Sequence, residues 1–202
     1  MTTVLTRRGL AVGALVSALA STAACGRSTA SSSSVAAGAA AVTDDLAALL
    51  GRHGLAGRTV EEVVEALDRD PRPRPLSLRA KVRSTSVVLT DDRSELVVPL
   101  TGGRHYLAIA PFEATTHECH VHAAGSCSGE LPDEPVHVTI TSAKGVVLVD
   151  TDAVTHANGF VGFWVPRGLK GTVEVACSSK RGQVAFSSDP KGATCLTNLQ
   201  IN

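Results

Sequence analysis

Leu76-Ser77-Leu78-Arg79-Ala80-Lys81-Val82-Arg83 alternates apolar and polar side chains without a break. Successive side chains of an extended chain point to opposite faces, so this period of two predicts a strand with one buried face. The preceding Asp70-Pro71-Arg72-Pro73-Arg74-Pro75 is a stiff connector that sets the strand apart from what comes before it. On the other side, Val87 to Leu89 and Glu95 to Leu100 flank Asp91-Asp92 and predict a hairpin, and Tyr106 to Ala110 is the next strand. Further strand candidates are Val136 to Thr141, Val146 to Val149, Gly159 to Val165, Thr172 to Cys177 and Gln183 to Phe186. Short strands at roughly 8 to 12 residue spacing, punctuated by Gly, Pro, Asn and Asp, predict an antiparallel sandwich.

Upstream of the connector the period changes from two to that of a helix. Thr43-Asp44-Asp45 is a good helix start, and Leu46, Leu49 and Leu50 recur at helical spacing until Gly51. Thr59-x-x-Glu62 is a capping box that opens a second helix with Val60, Val63, Val64 and Leu67 on one face, stopped by Pro71. Each helix has one greasy face, which must pack on the other helix or on a partner. The expected class is α+β: a short N-terminal helical and strand subdomain over residues 43–75, then an antiparallel β-sandwich-like domain over 76–202. No internal repeat is found.

Residues 1–24 read as an export signal: Arg7 and Arg8, an apolar run from Gly9 to Ala20, then small residues before Cys25. Cys25 with small residues before it and Gly26 after it resembles a bacterial lipobox, which makes Cys25 the expected lipidation site and membrane anchor. Thr22 stands where such boxes more often carry leucine, so plain cleavage nearby is the alternative. Thr6-Arg7-Arg8-Gly9-Leu10 faintly resembles a twin-arginine signal, leaving the export route open. Residues 27–42 are almost all Ser, Ala, Thr and Gly, the composition of a flexible tether, so the segment 25–42 joins an anchor to the folded part.

Without residues 1–24 the chain keeps 17 Lys and Arg against 19 Asp and Glu. With one Trp, one Tyr and four Phe it lacks both the basic stripe and the stacking aromatics of a nucleic-acid binder. A G-x-S-x-G elbow, a P-loop and an H-E-x-x-H helix do not occur, so hydrolase readings have no anchor here.

What the chain does have is His117-Glu118-Cys119-His120-Val121-His122, followed by Cys127 and, near the C-terminus, Cys195. Three of the seven histidines lie in those six residues. Thiolate sulfur with imidazole nitrogen selects Cu(I) or Zn(II) over hard cations. Three thiolates suit trigonal Cu(I), and an added histidine suits Zn(II). The loop Ala123-Ala124-Gly125-Ser126 is small enough to let Cys127 fold back toward Cys119. In an extended segment His117 shares the Cys119 side, whereas His120 or His122 needs a turn to reach it. The competing expectation for four cysteines in an exported protein is two disulfides. Cys177 shares strand parity with Val173 and Val175, so it reads either as a small buried hydrophobe or as a disulfide partner. His53, His105, His137 and His156 are scattered, with surface or turn placement expected.

With these spacings set out, the chain resembles the CueP family of exported bacterial copper-binding proteins, from about residue 44 to the C-terminus. The resemblance is carried by Leu49-Leu50-Gly51-Arg52-His53-Gly54-Leu55-Ala56-Gly57 with Leu67-Asp68, by Cys119-x-x-His122-x4-Cys127-x-Gly129-Glu130-Leu131, by Asn158-Gly159-Phe160-Val161-Gly162-Phe163-Trp164-Val165-Pro166-Arg167, and by Thr194-Cys195-Leu196-Thr197. It implies a periplasmic or cell-surface protein that buffers copper and can deliver it to exported copper enzymes. It implies that Cys119, Cys127 and Cys195 carry the site with His122; the segment itself offers His117 or His120 as a further ligand or outer donor. It also implies a homodimer, through an N-terminal region similar to the dimerising part of disulfide isomerases. Such thiols must be kept reduced, so a thiol-disulfide reductase is an expected partner. Cys177 is additional to the family's three cysteines and would dismantle the site if it captured Cys195. A redox enzyme cycling Cys119 and Cys127 between dithiol and disulfide, and a disulfide-stabilised surface lipoprotein without metal, are the rival readings.

Overall fold

The computed structural model describes residues 43–202; the export signal at 1–24, the lipidation site Cys25 and the tether lie outside the described residues. Residues 43–52 form α1 and Val60–Arg69 form α2. The capping box of α2 is made in both directions: the Glu62 N–H donates to Thr59 Oγ1 at 3.3 Å and the Thr59 N–H donates to Glu62 Oε2 at 2.8 Å. These bonds satisfy backbone donors that the first helical turn leaves free. The stripe of Val60, Val63, Val64 and Leu67 is buried, and Asp68 is buried with it.

Eleven strands follow: β1 (Arg79–Val82), β2 (Ser86–Thr90), β3 (Glu95–Pro99), β4 (Arg104–Phe112), β5 (His122–Ala124), β6 (Pro135–Ser142), β7 (Val147–Val154), β8 (Val161–Pro166), β9 (Lys170–Cys177), β10 (Lys180–Ser187) and β11 (Cys195–Gln200). They make three sheets, ordered β3-β2-β1-β5, β10-β9-β6-β7 and β11-β4-β8. Strand β4 explains how these stack. Tyr106, Ala108 and Ala110 enter a core shared with Val63, Leu67, Ala80, Val82 and Leu89, whereas Leu107 and Ile109 enter a second core with Val138, Ile140, Val173 and Val175. The sheet containing β4 is therefore covered on both faces, by α2 and the β1 sheet on one side and the β6 sheet on the other. A strand buried on both faces reads as an unbroken apolar run, which is what Tyr106 to Ala110 is.

The α+β class with an N-terminal helical part holds, and the expected hairpin forms with Val87 paired to Val98 and Leu89 to Leu96. Three details differ from the sequence expectation. Strand β11 runs parallel to β4, with Cys195 opposite Ala108, because it arrives from another sheet through residues 188–194 and no hairpin turn fixes its direction. His105 is fully buried rather than at the surface, with its Nε2 3.0 Å from the Ala193 carbonyl. All four described cysteines are free thiols, so the two-disulfide framework is not formed and Cys177 packs as a small hydrophobe in the second core.

The hairpin turn is tied to α1 by Asp91. Its carboxylate accepts from Arg52 Nη2 at 2.8 Å, from His53 Nε2 at 3.1 Å and from the N–H groups of Arg93 and Ser94 at 2.9 and 2.7 Å. The Arg52 guanidinium foremost, with the turn N–H groups and His53, holds the Asp91 carboxyl well below the usual carboxylate range against the opposing effect of burial. A depressed carboxyl contributes stability that is present above its unfolded pKa, about 3.9, and is lost as the pH falls below it. Asp91→Asn is expected to lower Tm at neutral pH, with the gap from wild type closing as thermal unfolding is repeated from about pH 4 downward.

Candidate metal centre

Between β4 and β5 the chain is irregular rather than extended, and it is held by groups from elsewhere. The Glu130 carboxylate accepts the N–H groups of Glu113, Ala114 and Thr115 at 2.6, 3.0 and 3.0 Å. Thr194 then fixes the far end. Its Oγ1 accepts the His122 N–H at 3.0 Å and donates to the Val82 carbonyl at 2.6 Å, while its own N–H donates to the His120 carbonyl at 2.9 Å. One threonine thus joins β1 and the histidine segment to the start of β11. Thr194→Val is expected to cost about 1–3 kcal/mol in urea unfolding, because a buried donor and acceptor lose their partner together.

After β5 the chain turns back on itself. The N–H groups of Ser126 and Cys127 both donate to the Ala123 carbonyl at 2.9 Å. Gly125 makes this possible: its φ is +85°, and a Cβ there would sit 2.8 Å from the Leu78 carbonyl oxygen. The turn places Cys127 Sγ 3.9 Å from Cys119 Sγ and within 3.4 Å of the Ala123 N–H.

Two groups of three ligand atoms result, and they share Cys127. His122, Cys127 and Cys195 have ligand atoms all within 4.8 Å of one another, as do His117, Cys119 and Cys127. The first group is deep, with His122 at 0% and Cys195 at 2% exposure, and Cys195 Sγ lies 3.7 Å from His122 Nδ1. The second reaches the surface, where His117 is exposed and Cys119 and Cys127 are half-buried. A cleft of about 570 Å³ opens onto both, lined by His117, Cys119, His120 and Cys195 among others.

The His122 ring is held on every side. It lies 4.9 Å from the Phe160 ring and 6.0 Å from the Tyr106 ring, centre to centre. Its Nε2 is 2.9 and 3.0 Å from the two Asp68 carboxylate oxygens. Asp68 also accepts from Tyr106 Oη at 2.7 Å and from Asn158 Nδ2 at 3.2 Å, and Arg74 Nη2 donates to the Leu67 and Asp68 carbonyls at 3.2 and 3.0 Å. A carboxylate only accepts, so Nε2 carries a proton, and Nδ1 faces the sulfurs. A carboxylate that fixes one imidazole nitrogen while the other meets the metal is the usual support of a histidine ligand. Tyr106 reaches Asp68 across Gly162, where a Cβ would fall 1.8 Å from Tyr106 Oη.

The charges follow from this packing. Cys119 and then Cys195 lend hydrogen bonds to the Cys127 sulfur, with His122 adding to them, and together they hold the Cys127 thiol well below its ordinary range although burial opposes this. Cys119, bonded to Cys127, is pushed up to about 11, and Cys195 is pushed far higher by Cys119, Cys127 and burial. Burial pulls His122 down, but the Asp68 charge and hydrogen bond, with Cys127, outweigh it and raise His122 to about 9. Of the three sulfurs, Cys127 is the one whose surroundings favour the thiolate.

Of the residues expected from sequence, Cys119, Cys127, Cys195, His117 and His122 fall into these two groups, whereas His120 belongs to neither and lies exposed at the cleft wall. His122 meets the sulfurs by starting a strand that points its ring inward, and His117 reaches its group from a loop. Asp68 was not foreseen as part of the centre. Its signal was in the sequence: an acid four residues after Val64, on the apolar stripe of α2.

Fold and centre together define a β-rich protein with a buried site of soft donors for a thiophilic metal. The chain belongs to the CueP family: the model described as periplasmic copper-binding protein CueP matches residues 62–200. It is also similar to a solved structure, described as the crystal structure of S.CueP, at 40% identity and a TM-score of 0.74, covering 77% of this chain and 96% of that one. No match is found among curated proteins. No helix of the described residues is long and apolar enough to cross a membrane.

Proposed function

We propose that the protein sequesters Cu(I) outside the cytoplasm through the reduced thiols of Cys119, Cys127 and Cys195, with His122 Nδ1 as a further donor, and hands it to exported copper enzymes. The observation that carries this is the convergence of Cys127, Cys195 and His122 from distant parts of the chain, their ligand atoms within 4.8 Å, around a histidine whose other nitrogen is tied to Asp68. Sulfur with imidazole in a dry pocket suits Cu(I); Zn(II) is the second metal this set would take. Binding and ligand exchange, not turnover, is the activity. Competition against a Cu(I) indicator is expected to show one stoichiometric site in reduced protein, and retention of full affinity by Cys119→Ser/Cys127→Ser protein would end this reading.

The same reading includes a lipid anchor at Cys25, a thiol-disulfide reductase as partner and a homodimer. The reductase is called for by the 3.9 Å between Cys119 and Cys127, a gap that oxidation closes with a small movement. That closeness also favours a second reading, in which the pair gives two electrons and two protons in reducing two Cu(II) to Cu(I) and becomes a disulfide. Catalytic turnover with a thiol reductant, against a single stoichiometric reduction, separates the two.

A further inference from the structure

We infer that copper reaches the buried donors by way of an outer position, made by His117, Cys119 and Cys127, in which His117 is later exchanged for Cys195 and His122. The inference rests on the copper-binding reading and adds a route to it. Both positions are trios of ligand atoms within 4.8 Å of one another, and Cys127 is the vertex they share. They differ in depth: His117 is exposed, Cys119 and Cys127 are half-buried, and His122 and Cys195 are closed off from solvent. One cleft of about 570 Å³ is lined by His117 and Cys119 of the outer trio and by Cys195 of the inner one, so the two trios share an opening to solvent.

The chemistry requires such a step. A cation stripped of its donors cannot enter a dry pocket, because an uncompensated charge there is costly. It can enter if each donor is replaced before the last one leaves. Cu(I) held by the His117 nitrogen and the Cys119 and Cys127 sulfurs stays attached to both sulfurs while Cys195 forms a bond to it. The Cys195 thiol gives up its proton, the His117–copper bond breaks, and the freed imidazole at the solvent end takes up the proton. Copper remains monovalent throughout and no electron is exchanged. His122 then releases its Nδ1 proton to solvent, and Nδ1 closes the inner position. Release is the reverse path, with the recipient's ligand arriving where His117 stands.

His120 supplies the control, since it is exposed in the same segment, lines the same cleft and belongs to neither trio. Stopped-flow transfer of Cu(I) between a chromogenic chelator and the protein, run in both directions, reads the route. His117→Ala is expected to slow uptake and release together by about tenfold or more, and His120→Ala is expected to exchange as wild type does. Unchanged rates in His117→Ala would overturn the route. So would a loss of affinity in His117→Ala carried by faster release alone, which would make His117 a resident ligand, and so would two Cu(I) held at once by one wild-type chain. Wild-type protein that binds no Cu(I) would instead remove the copper reading itself, before any variant is compared.

Discussion

Cys127→Ser protein is expected to bind Cu(I) more weakly than wild type by well over the roughly 10- to 100-fold that loss of a supporting outer partner costs. Cys127 is the one residue in both donor trios, and its sulfur is the one whose thiolate form is favoured by Cys119, Cys195 and His122. A serine hydroxyl is a hard oxygen that stays protonated at neutral pH, so it offers Cu(I) neither charge nor polarisable density. Cys195→Ser removes a donor from the inner trio, and Cys119→Ser removes one from the outer trio. The expected order of loss is therefore Cys127 first. Competition titrations of the three variants against one Cu(I) indicator, with urea unfolding to check that each is folded, give the ranking. Equal affinities for wild type and Cys127→Ser would leave the centre without its pivot.

Why the sequence reveals the cysteines but not their setting is a matter of range. The hairpin at Asp91 and the capping box at Thr59 are local patterns and each forms as read, while the alternation from Leu76 to Val82 is kept in burial although the strand itself covers only Arg79–Val82. Strand β5 is three residues long and begins at His122; nothing in His-Ala-Ala marks it, because Ala80, Lys81 and Val82 of β1 supply its pairing. Strand β11 carries Cys195 at its first position and pairs parallel with β4, a partner nearly 90 residues away that no spacing rule could name. The depth of the site has the same origin. Tyr106 to Ala110 reads as a strand, yet that both its faces are covered, and which of them meets α2, is decided by packing. Asp68 was the one long-range clue present locally, as a charge on a greasy stripe that must find partners once buried.

Those partners make Asp68 the residue whose loss should be felt most widely. Asp68→Ala is expected to destabilise the metal-free protein by about 3–5 kcal/mol, since it leaves the buried His122 ring without its counter-charge and strips acceptors from Tyr106 and Asn158. Asp68→Asn keeps the shape and isolates the charge. Burial then becomes the dominant influence on His122, and its pKa should fall from about 9 to below the unperturbed value of about 6.5. The sign of the pH effect follows: a histidine raised by its partner contributes stability that is complete below about pH 6.5 and fades as the pH rises through its folded value of about 9. The gap in urea midpoint between wild type and Asp68→Asn should accordingly be widest in mild acid and close in alkaline buffer, with the His122 ring protons followed by NMR across the same range. Copper affinity tests the second role of the carboxylate. With Nε2 no longer anchored, the ring is free to turn Nδ1 away from Cys127 and Cys195, and Asp68→Asn should bind Cu(I) about 10- to 100-fold more weakly at a pH where both proteins are fully folded. An unchanged affinity there would mean that His122 serves the fold alone and that sulfur by itself holds the metal.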